Sequence, residues 1–345
     1  MATPSAQGGA IPAGKINIGY PDISSLHPDL ESPEISEDEP AAGRRVRTTL
    51  PKWRGTSVYF SLYLPIDWKH GHTFPVIVEY PGNGNYRSKH GDICTGRVED
   101  CNLGFGISGG KGSIWICLPF VDETKHENAL QWWGNVDVTV AFCKEAVAYI
   151  CSKYGGDPTA VFLCGFSRGA IACNFIGLHD EEIAGIWRGF FAASHYDGAR
   201  AWPYAGSDRA AARERLERLG NRRVFVSHEV YDVTPETYTI VDTINYLAGT
   251  GRSLSTFGFN LCPFVIIPIA GFCMIFQPAT IFVYGFMRLL QPNHKCNCLV
   301  PFHAVKSRWH EGPSNTIHSS DMLSNRKLLK EACGRVSIAL IDAQV

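Results

Sequence analysis

Short apolar runs of strand length alternate with segments of helical spacing through the middle of the chain, and this alternation constrains the fold most. The runs are "FPVIVEY" (Phe74–Tyr80), "SIWICLPF", "TAVFLCG", "GFFAASHYDG" and "RRVFVSHEVYD". Apolar runs of this length, bounded by turn residues, are strands buried on both faces. Between them, "NVDVTVAFCKEAVAYICSKYGG" carries apolar residues at helical spacing and stops at a double glycine. "RGAIACNFIGLHDEEIAGIW" reads as one helix, and "SDRAAARERLERLG" as a charged helix ending in glycine. "TPETYTIVDTINYLAGTG" follows, with a threonine cap and a proline in its first turn. Strands alternating with helices predict an α/β class fold, with a mostly parallel central sheet and helices on both faces. Ahead of it, "RRVRTTLPKW" and "TSVYFSLYLP" predict an antiparallel N-terminal edge hairpin.

In such sheets ligands bind outside the carboxyl ends of the strands. Three turns fall there: Tyr80 to Tyr86, Gly165 to Gly169, and His228 to Asp232. The second, Gly165-Phe166-Ser167-Arg168-Gly169, has the pattern G-x-S-x-G between an apolar strand and a helix. That context suits a serine nucleophile on a strained strand-to-helix turn. Glycines two residues to either side let the turn approach its neighbours closely. The N–H of Arg168 opens the helix, where negative charge is favoured, and is a candidate oxyanion donor. A plain turn is the alternative reading.

Residues 1–43 are rich in proline, glycine, serine and acid and read as a disordered arm. The N-terminus lacks a basic start followed by an apolar run, so no signal peptide is expected and the cytoplasm is the expected location. A net charge of −1 gives no bulk attraction to nucleic acid. Of the 12 cysteines, Cys117 and Cys164 sit in strand-like runs and read as core thiols. Cys94 and Cys101 share a polar loop, either bridged in an oxidising compartment or free. Cys296-Asn297-Cys298 lacks zinc-site spacing, so no metal is expected. From Ser253 to Met287 there is no charge and no histidine, a length that can span a bilayer. Pro263, Pro268 and Pro278 interrupt it. Four readings of the insertion at 253–300 stand: an apolar lid, a membrane-associated or membrane-spanning segment, an atypical stretch, or an ordinary core helix pair. The second makes membrane association the alternative location.

Roughly from Arg44 to Gly251, the chain resembles the α/β-hydrolase fold family. The closest resemblance is to serine esterases of the feruloyl-esterase and polyhydroxyalkanoate-depolymerase type. The resemblance rests on strand-"YPGNGNY", helix, strand-"GFSRGA", helix, strand-"SHEVYD". It implies a hydrolase core over 44–252 that resumes over 301–345, a Ser-His-Asp triad, no cofactor, and a small-molecule or polymer-derived ester as substrate. It places a second oxyanion donor at Asn83 or Gly84 in a loop that lacks the family's usual His-Gly start. It places the triad acid at Asp232, with Glu229 and Asp197 as rivals, because His228-Glu229 departs from the family's His-Gly. In the order Ser, Asp, His, the base is His318, with His310 and His303 as alternatives. Tyr86, Trp132 and Trp133 are candidates for a substrate pocket, or else aromatic core. Peptidases and thioesterases use the same machinery, and a non-catalytic relative of the fold, attached to a membrane, is the contrasting reading.

Overall fold

The computed structural model describes residues 30–87, 93–228 and 240–251, together with strands at 253–260, 266–269, 272–275 and 335–342. Ten strands form the main sheet: β1 (Ile35–Ser36), β2 (Arg45–Thr48), β3 (Phe60–Tyr63), β4 (Phe74–Tyr80), β5 (Ile114–Cys117), β6 (Gly156–Phe166), β7 (Gly189–Ala193), β8 (Arg223–His228), β9 (Ser253–Asn260) and β10 (Arg335–Asp342). Their order is β1-β2-β3-β5-β4-β6-β7-β8-β10-β9. The centre, β5-β4-β6-β7-β8, is parallel throughout. β2 and β3 form the expected antiparallel hairpin, and β3 runs antiparallel to β5. β1 adds a parallel edge to β2 from within the stretch that reads as an arm. At the other edge, β10 lies antiparallel between β8 and β9.

The period of two along each strand divides the core into two layers. Val76, Val78, Val161, Leu163, Phe190, Val224 and Val226 face one cluster. Helix α2 (Val136–Tyr154) packs there with Phe142, Ala146 and Ile150, and α3 (Arg168–Phe175) with Ile171 and Cys173. Ile77, Trp115, Phe162, Cys164, Phe191 and Phe225 face the other cluster, covered by the short α1 (Leu103–Ser108) through Leu103, Phe105 and Ile107. Fully burying one such aliphatic or aromatic side chain contributes about 1.5–3 kcal/mol. α2 begins where the Asn135 side chain accepts the Val138 N–H at 3.0 Å, a cap worth about 1 kcal/mol.

The helix expected from Arg168 to Trp187 is two helices, α3 and α4 (Glu181–Ala184). Asp180 is the reason. Its carboxylate accepts the Ile183 N–H at 3.0 Å, which starts a new helix rather than continuing the old one. The charged helix α5 (Arg209–Glu217) and α6 (Ile240–Ala248) complete the described helices.

One buried carboxylate ties the two ends of the first crossover together. Glu79, near the end of β4, accepts the N–H of Leu103 (3.1 Å), the N–H of Gly104 (2.8 Å) and the Trp115 indole N–H (2.8 Å). A negative charge at the start of a helix is favourable. Burial pushes the Glu79 carboxyl up, opposed by those three donors and by the nearby Arg45 guanidinium. Arg45 is itself buried, 4.4 Å over the Trp115 ring, and donates to the Val98 carbonyl at 2.6 Å.

Among the described residues, no helix is long and apolar enough to cross a membrane. Within the apolar insertion, β9 joins the main sheet, and Ile266–Ile269 pairs with Phe272–Ile275 as a separate hairpin.

Candidate active site

The registers set β4, β6 and β7 level at their carboxyl ends, with Gly165 opposite both Tyr80 and Ala192. Ser167 follows β6 directly, at φ 55° and ψ −122°. A non-glycine residue held there costs about 1–3 kcal/mol and persists only where its surroundings fix it. Here they do. A Cβ on Gly165 would stand 2.3 Å from the Gly169 backbone, and one on Gly169 would stand 2.1 Å from the Tyr80 carbonyl oxygen. The Ser167 N–H donates to the Ala193 carbonyl on β7 at 2.9 Å. Its hydroxyl does not cap α3, so it is left for other chemistry. Arg168 is the first residue of α3, and its N–H has no acceptor within the helix.

The loop after β4 lies against this turn, held by the Arg168 side chain. Arg168 Nη1 donates to the Asn83 carbonyl at 2.7 Å, and its guanidinium lies 3.7 Å over the Trp132 ring. Asn83 is fully buried and closes the triangle, its Nδ2 donating to the Trp132 carbonyl at 2.6 Å. Arg168, Asn83 and Trp132 thus form a latch between the helix and two loops. Partial burial lowers the Arg168 guanidinium, partly offset by Cys94.

Cys94 is a site residue that sequence reasoning missed. A hairpin pairing Tyr86–Arg87 with Ile93–Cys94 returns it to the turn. Its sulfur stands against the loop and the turn: a Cβ on Gly82 would lie 2.4 Å from it and 3.3 Å from the Ser167 Cβ. Burial pushes the Cys94 thiol up, and the neighbouring Ser167, Gly84 and Tyr86 pull the other way. The expected alternative of a Cys94–Cys101 bridge is not formed: both thiols are free and buried. Turn residues at Pro81–Asn85 signalled the loop, but nothing local signalled the returning strand.

Trp132 is half-buried, with its ring 5.1 Å from Tyr204 and 6.3 Å from Trp202. Tyr86 is exposed. Trp133 is core, only 3% exposed and stacked on Phe175 at 5.0 Å, so it does not serve as an open pocket wall. Asp197 is buried and paired with Arg215. Arg215 binds both of its oxygens, at 2.9 and 3.1 Å, and burial pushes the carboxyl up while Arg215 pulls it back. Asp232, Glu229, His303, His310 and His318 lie outside the described residues. Among the described residues, no histidine hydrogen-bonds the Ser167 hydroxyl. A cavity of about 200 Å³ lined by Lys52, Trp53, Asp137 and Phe142 shares no residue with the turn or its latch.

A mostly parallel sheet with helices on both faces, and a strained serine turn between a central strand and the next helix, make this an α/β-hydrolase fold. No protein-family model and no curated protein matches the chain. Among solved structures it is similar to a thermostable esterase, at 12% identity over 60% of this chain and 52% of that one, with a TM-score of 0.37. It is similar to the feruloyl esterase module from Clostridium thermocellum, at 14% identity over 55% of this chain and 68% of that one, with a TM-score of 0.34. It is also similar to the AtxE2 isopeptidase, at 15% identity over 45% of this chain and 24% of that one, with a TM-score of 0.31. The match thus spans about half of the thermostable esterase and a quarter of the isopeptidase. At these TM-scores the likenesses carry no argument about activity.

Proposed function

We propose that this chain is a serine hydrolase that cleaves carboxylic esters through an acyl-enzyme on Ser167. The observation that carries the reading is the backbone of Ser167, held at φ 55° and ψ −122° between two glycines that have no room for a side chain. In this reading the Ser167 oxygen attacks the ester carbonyl as a base takes its proton. The N–H groups of Arg168 and Gly84 hold the oxyanion, and water then releases the acyl group. His318 as base and Asp232 as the carboxylate orienting it complete the proposed triad. Trp132 and Tyr86 border the space open to a small or polymer-derived ester.

A non-catalytic protein of the same fold is the second reading, favoured by the Cys94 sulfur, which stands against the loop after β4 where a Cβ on Gly82 would meet it at 2.4 Å. A serine-directed phosphonate separates the two. It is expected to label the wild-type chain at Ser167, and Ser167→Ala is expected to lose both the label and ester turnover. Labelling retained in Ser167→Ala would sink the assignment, and a folded wild-type chain that takes no label would support the second reading.

A further inference from the structure

A pair of thiols lies beside the Glu79 clamp, in the core layer that α1 covers, and Cys117 stands opposite Glu79 in the sheet. Cys101 follows the 3-10 turn Val98–Asp100, and Cys117 ends β5. Their sulfurs and a Glu79 oxygen all lie within 4.8 Å of one another. Both residues are buried, at 3% and 0% exposure. Sulfur, sulfur and carboxylate suggest a metal, but the surrounding chemistry excludes one. Both Glu79 oxygens already accept N–H donors, three in all. The Arg45 guanidinium donates to Cys117 Sγ at 3.6 Å, so a cation there would face a fixed positive charge and a ring of hydrogens. What the geometry leaves is a dithiol.

We propose that Cys101 and Cys117 form a reversible disulfide that staples the entry of α1 to β5. The oxidant is a low-molecular-weight disulfide such as glutathione disulfide. One cysteine, as thiolate, attacks a sulfur of that disulfide, forming a mixed disulfide and releasing one thiol. The second cysteine gives up its proton and displaces the remaining glutathione sulfur. Two protein thiols are oxidised, one external disulfide is reduced to two thiols, and no other electron carrier is needed. Burial pushes the Cys101 thiol well above its ordinary range, so the exchange is slow and proceeds through local opening of the loop. Once closed, the bond restricts the unfolded chain between the two residues and so stabilises the fold. Cys94 does not compete, because its sulfur packs at the serine turn, where a Cβ on Gly82 would lie 2.4 Å from it and 3.3 Å from the Ser167 Cβ.

The full chain is incubated in an oxidising glutathione buffer below its melting temperature. It is then denatured, alkylated, digested and mapped by mass spectrometry. The expected product is a peptide pair joined through Cys101 and Cys117 and lighter by two hydrogens, reversed by a reducing agent. The melting temperature of the oxidised chain is expected to rise by several degrees over the reduced chain, and Cys101→Ser and Cys117→Ser are each expected to abolish that rise. Because the map needs only the wild-type chain, a variant that fails to fold leaves the test intact. Both cysteines alkylated after oxidation, or Cys101 joined to another cysteine, would overturn the proposal. A link with no change in melting temperature would overturn the staple.

Discussion

Ser167 is not alone in its strain. Of the five non-glycine residues with positive φ among the described residues, four stand around the same turn: Asn85, Trp132, Ser167 and Ser194. Backbone strain collected in one place marks a surface shaped for function rather than for stability. Arg168 is the residue that braces it, because one guanidinium both stacks on Trp132 and holds the Asn83 carbonyl. If Gly84 supplies an oxyanion donor, Arg168 sets its position without touching the substrate through its side chain. Arg168→Ala is therefore expected to lower kcat about tenfold to a hundredfold, somewhat less than deleting an oxyanion donor outright, and to leave KM nearly unchanged. Arg168→Lys is expected to recover only part of the loss, since a lysine lacks the planar fork that stacks and donates together. A rise in KM at constant kcat would show that the latch shapes the pocket instead. The serine was legible in the sequence because its requirements are local: glycine, serine and glycine between a strand and a helix. The bracing by Arg168 was not, because its partners arrive from two other loops that only the folded sheet brings together.

The elements divide in the same way. β4 was legible at both of its ends, since an apolar run stopped by Pro81 and Gly82 admits little else. The end of α2 was legible through the glycines after Tyr154. The break between α3 and α4 was not, because helical spacing continues across it and only the Asp180 cap interrupts it. The Glu79 clamp shows what a strand's tertiary partners add. Three N–H donors and a nearby guanidinium face one buried side chain, an arrangement that suits an ionised acceptor although burial opposes it. Glu79→Gln would turn two hydrogens of its amide toward donors that need acceptors. The expected cost is about 3 kcal/mol, the range for unpairing a buried charge. Chemical denaturation of the full chain measures it as a lower midpoint at unchanged slope. A cost under about 0.5 kcal/mol, the size of an ordinary surface substitution, would show that the clamp is not a structural tie.

At the scale of the molecule, the nucleophile sits on central strands while the proposed base follows a long apolar insertion. The pairing at the sheet edge offers a direct way to separate those two halves. β9 and β10 are antiparallel, and Asn260 stands opposite Arg335 at the open end of the pair. A two-residue Asn-Gly turn suits that geometry, so it can replace residues 261–334 and close β9 and β10 into one hairpin. The shortened chain lacks His303, His310 and His318 but keeps Ser167, Arg168, Gly84 and every strand of the main sheet. It is expected to unfold cooperatively and to keep the far-ultraviolet circular dichroism of an α/β protein. It is expected to have no measurable ester turnover, because a serine without its base loses most of its nucleophilic advantage. Turnover that survives the excision would place the base among the remaining histidines and remove His318 from the mechanism. A chain that fails to fold would show that the excised residues complete the core, which would argue against reading the insertion as a lid or a membrane attachment. The sequence could not decide among these outcomes, since apolar composition between Ser253 and Met287 suits a lid, a bilayer or a buried layer equally well. Pairing between strands far apart in the chain does discriminate, because it ties the two sides of the insertion to one edge.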